Sequence, residues 1–275
     1  MRFILCLLKK GYLLFLVSFI FFSCSNKMAP EGHFQQTPVV ADGSTDDWKL
    51  PLRFTNEKYT FQYNVTNDDK NIYICVLSRD PATQTRILRS GMSIYFDTKG
   101  KKNKNISISF PFRKQSGQDY RNRNGNPVYN TSINSRKEEW LLQSDYYSTG
   151  GFINIENGQF DIADKNSPIH IAMKLNNNDS ILVYEVVVPV KNIFGADLNP
   201  KSTQKDFSVG LVLSAVSGQG GGNGYHARPS MGMGGMGMHG GMGMGMGGAH
   251  GYHSSGNSQG AKEEETWYTF RLVAK

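Results

Sequence analysis

Tyr59-Thr60-Phe61-Gln62-Tyr63-Asn64-Val65-Thr66-Asn67-Asp68-Asp69-Lys70-Asn71-Ile72-Tyr73-Ile74-Cys75-Val76-Leu77 is the stretch that decides the fold. In its first half Tyr59, Phe61, Tyr63 and Val65 alternate with polar residues, which is the two-residue period of a strand with one face on a core. Asn67-Asp68-Asp69-Lys70 is a turn by composition, because Asn and Asp side chains bond back to nearby backbone. Ile72 to Leu77 is apolar at every position, and such a run between turn residues is a strand covered on both faces. The two halves predict a hairpin whose second strand lies inside a sheet.

The same signals recur on either side. Met92 to Asp97 and Ile106 to Phe112 predict a pair of strands around the turn Thr98-Lys99-Gly100-Lys101. Ile169 to Leu175 and Ile181 to Val190 predict another around Asn176-Asn177-Asn178-Asp179. Phe152 to Ile155, Phe207 to Val216 and Trp267 to Ala274 are further strand-like runs. Helical signals are few. Thr83 to Ser90 follows Asp80-Pro81 as a short crossover, and Ser135-Arg136-Lys137-Glu138 fits a capping box before Trp140-Leu141-Leu142. Many short strands with few helices predict an all-β fold, an antiparallel β-sandwich with one or two short helices.

The two ends of the fold are bounded by unlike segments. Arg2, Lys9 and Lys10 precede an uncharged run from Gly11 to Ser23. That is the order of a signal peptide, and the run is too short for a membrane-spanning helix, which needs about 20 apolar residues. Its end, Phe21-Phe22-Ser23-Cys24, resembles a bacterial lipobox, although Phe21 stands where that motif usually has Leu. The resemblance implies a diacylglyceryl thioether on Cys24, palmitate-type acyl chains and cleavage before it. Two or more chains suffice for a stable anchor. The expected product is an exported lipoprotein of the bacterial envelope. Ser25-Asn26-Lys27-Met28 has no acidic cluster, which favours the periplasmic face of the outer membrane over the cell surface. Cys6 leaves with the leader, so Cys75 is the one remaining thiol and is expected to be a small buried hydrophobe.

Near the other end, Gly218 to Gly260 holds 18 of the chain's 30 Gly, 7 of its 11 Met and 4 of its 6 His, with Arg228 its one formal charge. Without a Gly-X-Y period this is a low-complexity insertion, expected to be disordered, not collagen. The expected organisation is therefore a signal peptide over 1–23, a tether over 24–38, the sandwich over 39–217, the insertion over 218–260 and the final strand over 261–275. Met231, Met233, Met236, Met238, His239, Met242, Met244 and Met246 also place soft thioethers and an imidazole together, and thioether suits Cu(I). Copper handling by this tract is thus an open alternative to plain filler.

The net charge of +7 is mild once Arg2, Lys9 and Lys10 are set aside. One basic run exists: Lys99, Lys101, Lys102, Lys104, Arg113, Lys114, Arg121 and Arg123. It reads as a lysine-guarded edge, without the reading element that a nucleic-acid partner requires. Catalytic motifs are lacking. Gly256-Asn257-Ser258-Gln259-Gly260 and Gly232-Met233-Gly234-Gly235-Met236-Gly237 match hydrolase and dinucleotide patterns, but neither follows a strand. A non-enzyme is expected.

Four segments resemble a known family. Val40-Ala41-Asp42-Gly43-Ser44-Thr45-Asp46-Asp47-Trp48 is similar to the opening of family 9 carbohydrate-binding modules and the related DOMON-like domains. Val65 to Ile74, Gly91 to Asp97 and Tyr184-Glu185-Val186-Val187-Val188-Pro189 are similar to their later strands. The resemblance implies a β-sandwich that binds sugars, or haem in some relatives, and implies no reaction. On their own chemistry Asp42-Gly43 suits a tight turn and Trp48 a plug at the end of the sandwich. A structural calcium at Asp42, Asp46 and Asp47 is the alternative, and it would need further oxygens. Glu185 is expected to point outward or toward a ligand.

Stacking on a sugar needs exposed aromatics among amides and carboxylates. The candidates are Trp140, Tyr146 and Tyr147, with Tyr120 and Tyr129 beside Arg121 and Asn122. The expected function is thus glycan binding, or service as an accessory subunit, by a lipid-anchored envelope protein. Copper or haem handling, and a purely structural envelope role, remain the alternatives.

Overall fold

A computed structural model of the chain describes residues 28–112, 133–176, 180–215 and 261–275. Cys24, Tyr120, Tyr129 and the methionines and histidines of 218–260 lie outside the described residues.

The strands are β1 (Phe54–Thr55), β2 (Gln62–Asn67), β3 (Asn71–Ser78), β4 (Met92–Asp97), β5 (Ile106–Phe110), β6 (Tyr146–Gly150), β7 (Gly158–Asp161), β8 (His170–Asn176), β9 (Ile181–Pro189), β10 (Asp206–Leu213) and β11 (Glu264–Arg271). They form two sheets, ordered β1-β2-β3-β9-β8 and β11-β10-β4-β5-β6-β7. Every named strand pair is antiparallel. The helices are short: α1 (Pro81–Ser90), α2 (Ile133–Leu142), α3 (Val190–Phe194) and α4 (Pro200–Thr203). The fold is an all-β antiparallel sandwich.

β3 shows why the opening stretch has its composition. Ile72, Ile74 and Val76 enter the core between the sheets, where they join Tyr184, Val186 and Val188 of β9 and Ile94 and Phe96 of β4. Tyr73, Cys75 and Leu77 point the other way into a second cluster with Val39, Trp48, Leu52, Val183 and Val187. Side chains alternate faces along a strand, so a strand apolar throughout needs a cover on each side. Each fully buried Ile or Val contributes about 1.5–3 kcal/mol. The same cover alters β2: Asn64 and Thr66, the polar half of its alternation, are buried as well.

α1 begins where Asp80 Oδ2 accepts from Thr83 N at 2.7 Å and ends at Gly91, whose φ of +78° suits glycine. α2 starts at Ile133, so Ser135 lies inside the helix, not at its cap. Phe152 to Ile155 is not a strand. Gly151 turns the chain with φ +75°, Phe152 packs on Phe96 at 5.9 Å, and Ile153 N donates to Asn192 O at 2.7 Å. The strands in this region are the polar β6 and β7 on either side of it.

The expected tether is also corrected. Gly32 N donates to Arg271 O, and Arg271 N to Pro30 O, each at 2.8 Å. Gln35 N donates to Asn67 O at 2.8 Å and Asn67 N to His33 O at 3.1 Å. From Met28 onward the chain is bound to the sandwich, because unpaired backbone groups at the ends of β2 and β11 offer it partners. Gly32 permits the close lay; a Cβ there would meet the Phe270 ring at 2.6 Å.

Candidate functional site

The Asp42-to-Trp48 loop lies on the outer face of the five-stranded sheet, and Glu185 holds it there. Glu185 is fully buried on β9, opposite Cys75 of β3. Its Oε1 accepts from Trp48 Nε1 at 2.6 Å, and its Oε2 accepts from Gly43 N at 2.7 Å and Asp42 N at 3.1 Å. Gly43 has φ +77°, and a Cβ on it would meet Lys174 Cβ at 2.6 Å. Burial pushes the Glu185 carboxyl above its ordinary value; the three donors pull the other way without cancelling it. Burial and the nearby Glu185 raise the Cys75 thiol as well, which leaves it an inert packing residue. Glu185 therefore faces neither solvent nor a ligand: it fastens the loop.

The loop carboxylates serve the same turn. Asp42 Oδ1 accepts from Ser44 N at 2.7 Å and Asp47 Oδ2 from Val40 N at 3.0 Å. Among the described residues no group of three or more His, Cys, Asp or Glu is placed to hold a metal ion.

The sequence-derived aromatics do not converge. Tyr146 and Tyr147 are neighbours on β6 and face opposite sides. Tyr146 is 43% exposed, whereas Tyr147 is 1% exposed, stacks on Phe160 at 5.5 Å and shares a 2.5 Å hydrogen bond with Ser167 Oγ. A ring enclosed on both faces cannot stack on a sugar, so Tyr147 is a core residue and its assignment to ligand binding is corrected. Trp140 on α2 is half-buried against the inter-sheet core, with the Arg89 guanidinium 5.6 Å from its ring.

What the fold does bring together is a cleft of about 480 Å³ beside Trp48. His33 to Thr37 form one wall, Asp46 to Lys49 the other, and Asn64 and Thr66 of β2 the floor. Asn64 Oδ1 and Thr66 Oγ1 are buried there without a hydrogen-bond partner among the described residues. An unpartnered buried polar atom costs about 1–3 kcal/mol, so two on one floor call for an explanation. Sequence reasoning missed this cleft because β2's polar positions read as solvent-facing. A broader basin of about 1,100 Å³ opens where the chain enters the domain, lined in part by Met28, Lys99, Ile153, Phe194, Lys201 and Lys205.

No protein-family model matches the chain, and no curated protein matches it. Among solved structures it is similar to a carbohydrate-binding module of family 9 from Caldicellulosiruptor kristjanssonii in complex with glucose. The identity is 13%, the match covers 68% of this chain and 78% of that one, and the TM-score is 0.30. It is also similar to a protein from Bacteroides uniformis provisionally described as carbohydrate-binding. There the identity is 9%, the coverage 68% and 84%, and the TM-score 0.32. The class defined by the chain's own strands is a two-sheet antiparallel sandwich with a polar cleft on one outer face.

Proposed function

We propose that this protein is a non-catalytic, lipid-anchored envelope lipoprotein whose sandwich binds glycan in the cleft beside Trp48. The observation that carries the reading is the polar floor of the cleft, where Asn64 Oδ1 and Thr66 Oγ1 lie buried with no hydrogen-bond partner among the described residues. Sugar hydroxyls donate and accept at once. They complement a site that combines such oxygens with Gln35, Gln36, Asp46 and Asp47. The volume lies within the roughly 300–1,000 Å³ common for small-ligand sites. The lipobox-like Ser23-Cys24 supports anchoring at Cys24 and export to the envelope, with the periplasmic face of the outer membrane favoured.

The test is a glycan array probed with the full chain and with Thr66→Val. Valine keeps the shape and removes an oxygen that has no partner among the described residues. The expected result is glycan binding that falls about tenfold in the variant, near 1.4 kcal/mol, while its thermal stability holds or rises. Absence of bound glycan, or binding indifferent to Thr66→Val and Asp46→Ala, overturns the reading.

A further inference from the structure

The place where the chain enters the domain has a surface of its own. Ala29 N donates to Asp206 Oδ1 at 3.1 Å, and Arg271 Nε donates to Ala29 O at 3.0 Å. The chain therefore joins the sandwich at the mouth of the 1,100 Å³ basin, with Met28 in its lining. Two of the chain's exposed large apolar side chains meet here: Met28 is 59% exposed and Ile153 40%.

Lysines surround them. Lys99, Lys201 and Lys205 line the basin, and Lys101 and Lys102 follow on the same β4–β5 turn; all five are exposed. The turn is fixed beside the entry point. Gly100 has φ +66°, and a Cβ on it would meet Asp206 Cβ at 2.6 Å. The nearby carboxylates are largely engaged. Asp97 accepts from the backbone N–H of Lys99, Lys101 and Asn103 at 2.9, 2.7 and 3.0 Å, and Asp206 from Ala29. Asp197 is the exposed carboxylate in the lining.

Three residues separate Cys24 from Met28, and the four steps between them span at most about 14 Å when fully extended. An acyl group on Cys24 therefore holds this basin within reach of a bilayer surface, where the field of anionic lipids extends about one Debye length, ~8 Å in physiological salt. Apolar side chains ringed by lysines are the composition of a surface that lies on headgroups.

We propose that this end of the sandwich docks on anionic phospholipid headgroups. Met28 and Ile153 enter the interface, and Lys99, Lys201 and Lys205 meet the lipid phosphates. The proposal rests on the reading of Cys24 as the acylated residue. The domain is then a seated module with a fixed face toward the membrane, and not one swinging on a spacer.

Hydrogen exchange of the full-length lipidated protein on phosphatidylcholine vesicles, with and without phosphatidylglycerol, tests this. Amides of 98–104 and 199–206 are expected to exchange several-fold more slowly on the anionic vesicles alone. High salt, and the joint change Lys99→Gln, Lys201→Gln and Lys205→Gln, are expected to abolish the difference, while thermal unfolding confirms that the variant is folded. Equal exchange on both vesicles, in protein whose N-terminal peptide carries the lipid mass, overturns the docking and leaves the anchor standing. The same slowing with inorganic phosphate and no vesicle overturns it in favour of a small-anion site. An N-terminal peptide without acyl chains overturns the anchor reading and the docking with it. Loss of glycan binding touches neither result.

Discussion

Trp48 Nε1 donates to Glu185 Oε1 at 2.6 Å, and this bond joins the loop ahead of the first strand to an inner strand 137 residues later. Both groups are buried, so each depends on the other for its hydrogen bond. Trp48→Phe keeps most of the ring and removes the donor. The expected cost is about 1–3 kcal/mol, the range for a buried acceptor left unpaired. Urea unfolding measures it; an unchanged midpoint means that the bond contributes nothing net.

Glu185 makes stability depend on pH in a defined direction. Its carboxyl is raised above 4.5 in the folded chain, so the folded state holds that proton more tightly than the unfolded state does. The stability it contributes is complete below 4.5 and is lost as pH rises through the raised value. Glu185→Gln does not titrate. The stability of the native protein minus that of Glu185→Gln is therefore expected to fall as pH rises from 4.5 toward neutrality. A series of urea melts across that window reads the difference, and a flat line rules out the shift.

Gly151→Ala is expected to destabilise strongly. Gly151 has φ +75°, and an added Cβ would run into the carbonyl oxygen of Asn105. Strained backbone of this kind costs about 1–3 kcal/mol before the clash is counted. Thermal unfolding within error of the native protein would show that β6 can shift away from β5.

These positions differ in how far the sequence announces them. β3, β4, β8, β9 and β10 are each short apolar runs between turn residues, and their places follow from period and punctuation. β6 and β7 are not legible that way. Tyr146–Gly150 and Gly158–Asp161 are mostly polar, and they pair at the edge of their sheet, where a strand needs little apolar surface. Phe152 to Ile155 misleads for the converse reason: Phe152 and Ile155 pack at the core and not on a sheet face, while Ile153 stands exposed. In the candidate site, the Asp42-Gly43 turn and the buried Trp48 were readable from residue type. The partner Glu185 was not, because an acid in a strand ordinarily faces water. Nor was the cleft, since its floor became enclosed only when residues 33–49 folded across β2.

Tyr146→Ala and Tyr147→Ala are expected to part company. Tyr147 is enclosed by Phe160 and Ser167, and truncating a buried aromatic costs about 3–5 kcal/mol. Tyr146 stands 43% exposed, and its removal is expected to stay within roughly 0.5 kcal/mol. Equal losses in denaturant unfolding would contradict the opposite facing of the two rings.

Deleting residues 218–260 is expected to leave the sandwich folded. β10 and β11 are antiparallel neighbours, with Leu213 opposite Glu264, so the residues left between them need only close a turn. Loop-closure entropy favours the shorter connection by about 1–2 kcal/mol. A deletion variant that loses its cooperative melt would refute that pairing.

The hydrogen bonds of Pro30 and Gly32 to Arg271 also set an order of assembly. During synthesis residues 30–32 emerge more than two hundred residues ahead of the strand that receives them. Until residues 264–275 arrive, the entry segment has no seat at that end. Residues 30–32 and β11 are therefore seated together in one event, and a nascent chain halted before residue 264 leaves residues 30–32 without that partner.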